Sequence, residues 1–137
     1  MTTVRDHMTA DPVYLESSAT IRDAARAMRD HNFGSVPVVE GGALVGMLTD
    51  RDIVIRAVAD GAGADSPISA VMSGDVVTVG VDDDLEEVRR TLSSHALRRV
   101  PVVDGESLVG ILALGDLAEG GEDEKVLKDI SEAAPDA

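Results

Sequence analysis

The sequence predicts an α/β protein of the α+β type, two tandem β-α-β-β-α repeats packed about a pseudo-twofold axis. Three observations carry this. Sliding the chain against itself by 64 residues aligns Met8–Ile53 with Met72–Leu117 without a gap, and 15 of the 46 pairs are identical. The best-matched block reads Val36-Pro37-Val38-Val39-Glu40-Gly41 then Leu44-Val45-Gly46-Met47-Leu48 in copy one, and Val100-Pro101-Val102-Val103-Asp104-Gly105 then Leu108-Val109-Gly110-Ile111-Leu112 in copy two. Within each copy the apolar spacing alternates between short β-prone runs and a helical period. The boundaries that follow are 1–61 for the first repeat, 62–67 for a linker, 68–121 for the second repeat and 122–137 for an acidic tail.

Each copy opens on a short β-prone run, Pro12-Val13-Tyr14-Leu15 or Val76-Val77-Thr78-Val79. A helix follows. In copy one Thr20 with Asp23 forms a capping-box pattern, and Ile21, Ala24, Ala25 and Met28 fall at i, i+3, i+4 and i+7. Asp84 and Glu87 with Leu85, Val88 and Leu92 repeat the pattern. Two apolar runs then flank a tight turn at Gly41-Gly42 or Asp104-Gly105, the signal of a β-hairpin. A second helix is expected from about Asp50 towards Gly61. Its residues Ile53, Val54, Ile55, Ala57, Val58 and Ala59 make it apolar nearly all round, which calls for cover on more than one side. A second chain supplies that cover most simply, so a homodimer is expected.

Composition bounds the function. An apolar content of 44 % suits a globular protein, but Tyr14 and Phe33 are the only aromatics, so the core must be filled by aliphatic side chains. With no cysteine, thiol nucleophiles, disulfides and thiolate metal sites are excluded, and a reducing, cytoplasmic compartment is expected. The first residues, Met1-Thr2-Thr3-Val4-Arg5-Asp6, are not an apolar run and no stretch is long enough to span a membrane, so a soluble, unsecreted protein is expected. A net charge of −14 disfavours nucleic acid and anionic membrane surfaces as partners. It leaves room for a small phosphorylated ligand, because a few arginines set the potential of one cleft. His31 and His95 occupy equivalent places near the end of the first helix of each copy, where a protonated imidazole suits the helix terminus, and His7 has no partner at ligand spacing, so no metal site is expected. No phosphate-binding loop, nucleophile elbow or zinc-protease motif is present, and the chain reads as a non-enzyme that needs no cofactor.

The repeat, the openings at Met8 and Met72, the paired Val-Pro-Val strands, the Leu-Val-Gly hairpins and above all Gly46-Met47-Leu48-Thr49-Asp50-Arg51-Asp52 resemble the paired CBS domains, or Bateman modules, over residues 4 to 121. The last segment is similar to the family's Gly-x-x-Thr/Ser-x-x-Asp signature. The layout is similar to stand-alone bacterial members. The resemblance implies a regulatory module that binds an adenosine-containing ligand, of the AMP, ADP, ATP or S-adenosylmethionine type, between its repeats and passes a shape change to a protein partner. The alternative is a constitutive dimeric scaffold with degenerate clefts.

Carried over residue by residue, the resemblance gives Asp52 and Asp116 the ribose hydroxyls. An ionised carboxylate has the acceptor capacity to take both. Thr49 would stand at the strand-to-helix junction, where a hydroxyl and backbone N–H groups suit a phosphate. Thr49 with Asp52 is equally a capping box that needs no ligand. Copy two has Ala113 in place of the Thr yet retains Asp116, so the two clefts are expected to be unequal. Arg51, Arg98 and Arg99 are the candidate phosphate contacts, since the guanidinium fork grips oxyanions, although exposed arginines on an acidic surface need no ligand. Copy one carries Gly34 and Ser35 where copy two has Arg98 and Arg99. The adenine would lie on Val13, Tyr14, Leu15, Val36 and Pro37, with Val77, Val79 and Pro101 in copy two, residues that core packing also explains.

Overall fold

The computed structural model describes residues 2–95 and 99–113. Its elements run β1 (Thr9–Ala10), β2 (Leu15–Glu16), α1 (Ile21–His31), β3 (Ser35–Glu40), β4 (Ala43–Thr49), α2 (Asp50–Asp52) leading into a π-helical stretch (Ile53–Val58), β5 (Val79–Gly80), α3 (Leu85–His95), β6 (Arg99–Asp104) and β7 (Ser107–Ala113). Short 3-10 turns stand at Val4–Asp6 and Ile68–Ala70. The β-α-β-β order of the sequence reading is present twice. The closing helix expected of copy two lies outside the described residues, as does the acidic tail.

The chain forms two compact units that are offset from the sequence copies. Val13–Val76 make one; residues 2–12 together with the described residues from Val77 onward make the other. Each opening segment, Val4–Ala10 or Ile68–Gly74, is thus built into the unit of the other copy.

In the Val13–Val76 unit, β2 runs parallel to β3, with Leu15 opposite Val38, and β3 runs antiparallel to β4 from Ser35↔Thr49 to Glu40↔Ala43. The turn between β3 and β4 is Gly41-Gly42 at φ +59° and +86°, a conformation that glycine adopts without strain. Thr20 caps α1 as expected: its hydroxyl accepts from the Asp23 amide at 3.1 Å and its own amide donates to Asp23 Oδ2 at 3.1 Å. The linker completes the cap. Ser66 and Ala64 carbonyls accept from the Ile21 and Arg22 amides, so the helix's first N–H groups find partners. Ile21, Ala24 and Met28 of α1 pack with Val36, Val38, Leu48, Ala57, Ile68 and Val71. Ala25, expected on the same face, is exposed.

Opposite Pro37 stands Met47, and Met47 gives both its N–H and its C=O to Ser73, each at 2.9 Å. Pro37 has no amide hydrogen, and here none is missed, because the pair makes no hydrogen bond to each other. The approach of Ser73 leaves no room beside Gly46: a Cβ there would lie 2.7 Å from the Ser73 carbonyl and 2.8 Å from Met72 Sδ.

The second unit repeats these devices residue for residue. β5 is parallel to β6, with Val79 opposite Val102, and β6 is antiparallel to β7 from Arg99↔Ala113 to Asp104↔Ser107. Asp104 is still paired in the strand, so the turn residues are Gly105 and Glu106, one position later than the sequence suggested. Thr9 pairs with Ile111, which faces Pro101, and a Cβ on Gly110 would meet Met8 Sδ at 2.6 Å. Val4, Val79, Val81, Leu85, Val88, Leu92, Val100, Val102 and Leu112 form the core.

Two further expectations are corrected. Val13 and Tyr14 lie outside the strand, because parallel pairing with β3 begins only at Leu15. The regular helix from Asp50 to Gly61 is instead one α-turn followed by a π-stretch ending at Val58, with Ala59 and Ala62 amides reaching the carbonyls of Val54 and Ala57. Ile53, Val54 and Ile55 are consecutive β-branched residues, which crowd an α-helix, and the wider turn relieves them while keeping Ala57 in the core.

Gly46→Ala is expected to destabilise the protein by about 1–3 kcal/mol in urea unfolding, the cost of forcing a methyl against backbone, whereas Gly63→Ala, with nothing near its Cβ, should stay within about 0.5 kcal/mol of wild type. The Asp23 carboxyl is held below its usual pKa, first by the Thr20 amide and then by the Thr20 hydroxyl. Its folded-state contribution is therefore present above the unfolded carboxylate pKa and lost as pH falls through the folded value. Asp23→Ala, which removes the titrating carboxyl, should accordingly be less stable than wild type at neutral pH, with the gap narrowing in acid; a pH-independent gap in thermal unfolding would contradict the assignment.

Candidate functional site

The end of the β3–β4 hairpin gathers the copy-one candidates. Ser35 and Thr49 face each other across the hairpin, and the Asp50 amide donates to the Gly34 carbonyl at 2.9 Å, which turns the chain from strand into helix. The Thr49 hydroxyl accepts from the Asp52 amide at 3.0 Å, and the Thr49 amide donates to Asp52 Oδ2 at 3.0 Å. The capping box is therefore formed, and it uses one carboxylate oxygen. The other oxygen, Oδ1, lies 4.0 Å from Arg56 Nε. The Asp52 side chain is 16 % exposed, so its negative charge is held at a fixed orientation with a small window to solvent.

Arg51 points away from the core and is exposed, beside Asp50, whose Oδ1 accepts from the Arg51 amide at 2.8 Å. Parallel pairing of Leu15 with Val38 sets Tyr14 and Val13 level with the Thr49 end of the hairpin. Tyr14 is 50 % exposed and Val13 lies at the edge of exposure. Val36 and Pro37, by contrast, are fully buried by the protein itself. Of the apolar surface expected for an adenine, Val13 and Tyr14 present area to solvent, while Val36 packs in the core against α1 and Pro37 is buried, so neither presents area to a ligand.

In the second unit Arg99 begins β6 and faces Ala113, where copy one has Ser35 facing Thr49. Arg99 is half-buried, and that burial lowers the pKa of its guanidinium. A long cation thus stands where copy one has a pair of small hydroxyls. Arg98 and Asp116 lie outside the described residues. Sequence reasoning did not single out Arg56. It donates from Nη1 to the carbonyls of Val71 at 3.3 Å and Met72 at 3.5 Å, and its only sequence signal is that copy two has Gly120 at the equivalent position.

The CBS domain model matches this chain twice, over residues 4–58 and 68–122. The CBS domain-containing protein YhcV of Bacillus subtilis is 46 % identical over 118 residues, 86 % of this chain and 84 % of that protein. Among solved structures, Hypoxic Response Protein I with two coordinated zinc ions superposes with a TM-score of 0.78 at 34 % identity, covering 85 % of this chain and 97 % of that one. Among the described residues of this chain, no three His, Cys, Asp or Glu side chains gather as a metal site. The CBS domain pair of protein MJ0100, in complex with 5′-methylthioadenosine and S-adenosylmethionine, gives a TM-score of 0.72 at 31 % identity, covering 86 % of this chain and 94 % of that one. Two matched domains, the doubled β-α-β-β order and these relatives together make this chain a tandem pair of the CBS domain family.

Proposed function

We propose that the protein is a regulatory sensor, not an enzyme, that binds an adenosine-containing ligand at the Thr49–Asp52 end of the first hairpin. The observation that carries the reading is the state of Asp52: a largely buried, oriented carboxylate with one oxygen used in the capping box and the second 4.0 Å from the Arg56 guanidinium. A vicinal diol needs acceptors of that kind. Tyr14 and Val13 offer the apolar surface for a base, and Arg51 at the helix start offers a cation for an anionic tail. The ligands held by the MJ0100 pair, two adenosine derivatives, support the class. Arg98, Arg99 and Asp116 are the equivalent candidates of copy two, where Ala113 replaces the threonine, so copy one is the primary site.

A homodimer goes with this reading. Val54, Ile55 and Val58 are 59 %, 48 % and 67 % exposed along the last helical stretch of copy one, an apolar face that a second copy of the chain would cover. The ligand acts by favouring one arrangement of such an assembly over another, which a partner protein then reads. The absence of cysteine suits a cytoplasmic setting.

In thermal-shift measurements AMP or S-adenosylmethionine should raise the melting temperature of wild type. Asp52→Ala and Asp52→Asn should both abolish the shift; the Asn variant retains an oxygen for the Thr49 amide and so separates lost charge from a lost cap. No shift with either ligand in wild type would favour the scaffold reading. Val58→Asp should convert a dimer to a monomer in light scattering at micromolar concentration, and a monomeric wild type would refute the dimer.

A further inference from the structure

Arg56 joins the candidate ligand carboxylate to the opening segment of the second copy. Its Nε faces Asp52 Oδ1 at 4.0 Å, while Nη1 donates to the carbonyls of Val71 and Met72. Those two residues are fixed on their other sides. Val71 is buried in the core of the Val13–Val76 unit, Met72 packs its thioether against Gly46, and the next residue, Ser73, is hydrogen-bonded both ways to Met47. Met47 lies two residues before Thr49 on the same strand. One guanidinium therefore spans from Oδ1 of Asp52 to the carbonyls of Val71 and Met72, and β4 returns from Ser73 to Thr49. The π-stretch in which Arg56 sits is a geometry often found at functional positions.

We propose that Arg56 is a positioning residue that couples occupancy of Asp52 to the docking of residues 71–73 on β4. This rests on the ligand reading above. Arg56 orients the Asp52 carboxylate from its seat on the Val71 and Met72 carbonyls, so docking of residues 71–73 and donation by a diol to Oδ1 reinforce each other, and any effect of ligand on residues 71–73 is matched by an equal effect of their docking on affinity. Copy two has Gly120 in place of Arg56, so the coupling belongs to copy one alone. The linker that leads into this segment caps α1 through Ala64 and Ser66, which gives the signal a rigid element to move.

The test is hydrogen–deuterium exchange of the full-length protein, read on peptides covering Ile68–Gly74 and Val45–Thr49, with and without AMP, in wild type, Arg56→Met and Arg56→Lys. Melting curves establish that each variant is folded. Wild type should change its exchange at the Ser73 and Met47 amides when AMP binds. Arg56→Met should exchange these amides faster without ligand, bind AMP about fivefold more weakly, at the low end of measured coupling between sites, and lose the AMP-dependent change; Arg56→Lys should restore part of that change. If AMP alters exchange at these amides equally in wild type and Arg56→Met, the positioning role is overturned while the ligand site stands. If neither AMP nor S-adenosylmethionine binds wild type at all, the ligand reading falls and this inference falls with it.

Discussion

The structure depends on one pairing made twice. A strand residue opposite a proline turns its N–H and C=O away from the hairpin and gives them to a segment that arrives from the other copy: Met47 to Ser73, and in the second unit Ile111 beside Thr9. The close approach requires glycine on the strand, at Gly46 and Gly110, and a methionine fills the groove above each, Met72 and Met8. Without this docking, the Ile68, Val71 and Val4 side chains would leave the two cores, and each remaining set of three strands with its helix would be too small to persist alone.

The same pairing explains why compact units and sequence copies differ. The openings Met8-Thr9 and Met72-Ser73 are near-identical, and so are the strands that receive them, so the sequence contains the docking motif but is degenerate about which opening meets which strand. What depends on local chemistry was legible: the Thr20–Asp23 cap, the Gly41-Gly42 turn, the apolar period of Ile21, Ala24 and Met28 and the Thr49–Asp52 pair all stand where residue types and spacing put them. Ala25 was misplaced because i+4 spacing on a helix covered from one side only reaches the edge of the buried stripe. The π-stretch escaped because helix period alone does not register three consecutive β-branched residues as a wider turn.

For the candidate site, the sequence located the carboxylate and the hydroxyl but not their use. That Asp52 divides its two oxygens between the Thr49 amide and the side facing Arg56 is a matter of side-chain placement. A cap and a ligand contact therefore need not be rival explanations of one signature: the cap orients the carboxylate, and orientation is what a ligand contact requires. Val36 and Pro37 were read as lining because apolar strand residues beside a cleft and apolar residues of a core share the same pattern, and only burial separates the two. The unequal copies, Ser35 with Thr49 against Arg99 with Ala113, give one protein two chemically different hairpin ends from a single duplicated design.

The most direct test of the account is a nuclear magnetic resonance titration of the full-length protein with AMP, following the backbone amides of Thr49 and Asp52. The account predicts saturable shifts at both amides, with smaller shifts reaching Met47 and Ser73. Shifts absent from Thr49 and Asp52, or confined to surfaces away from the β3–β4 hairpin, would contradict it.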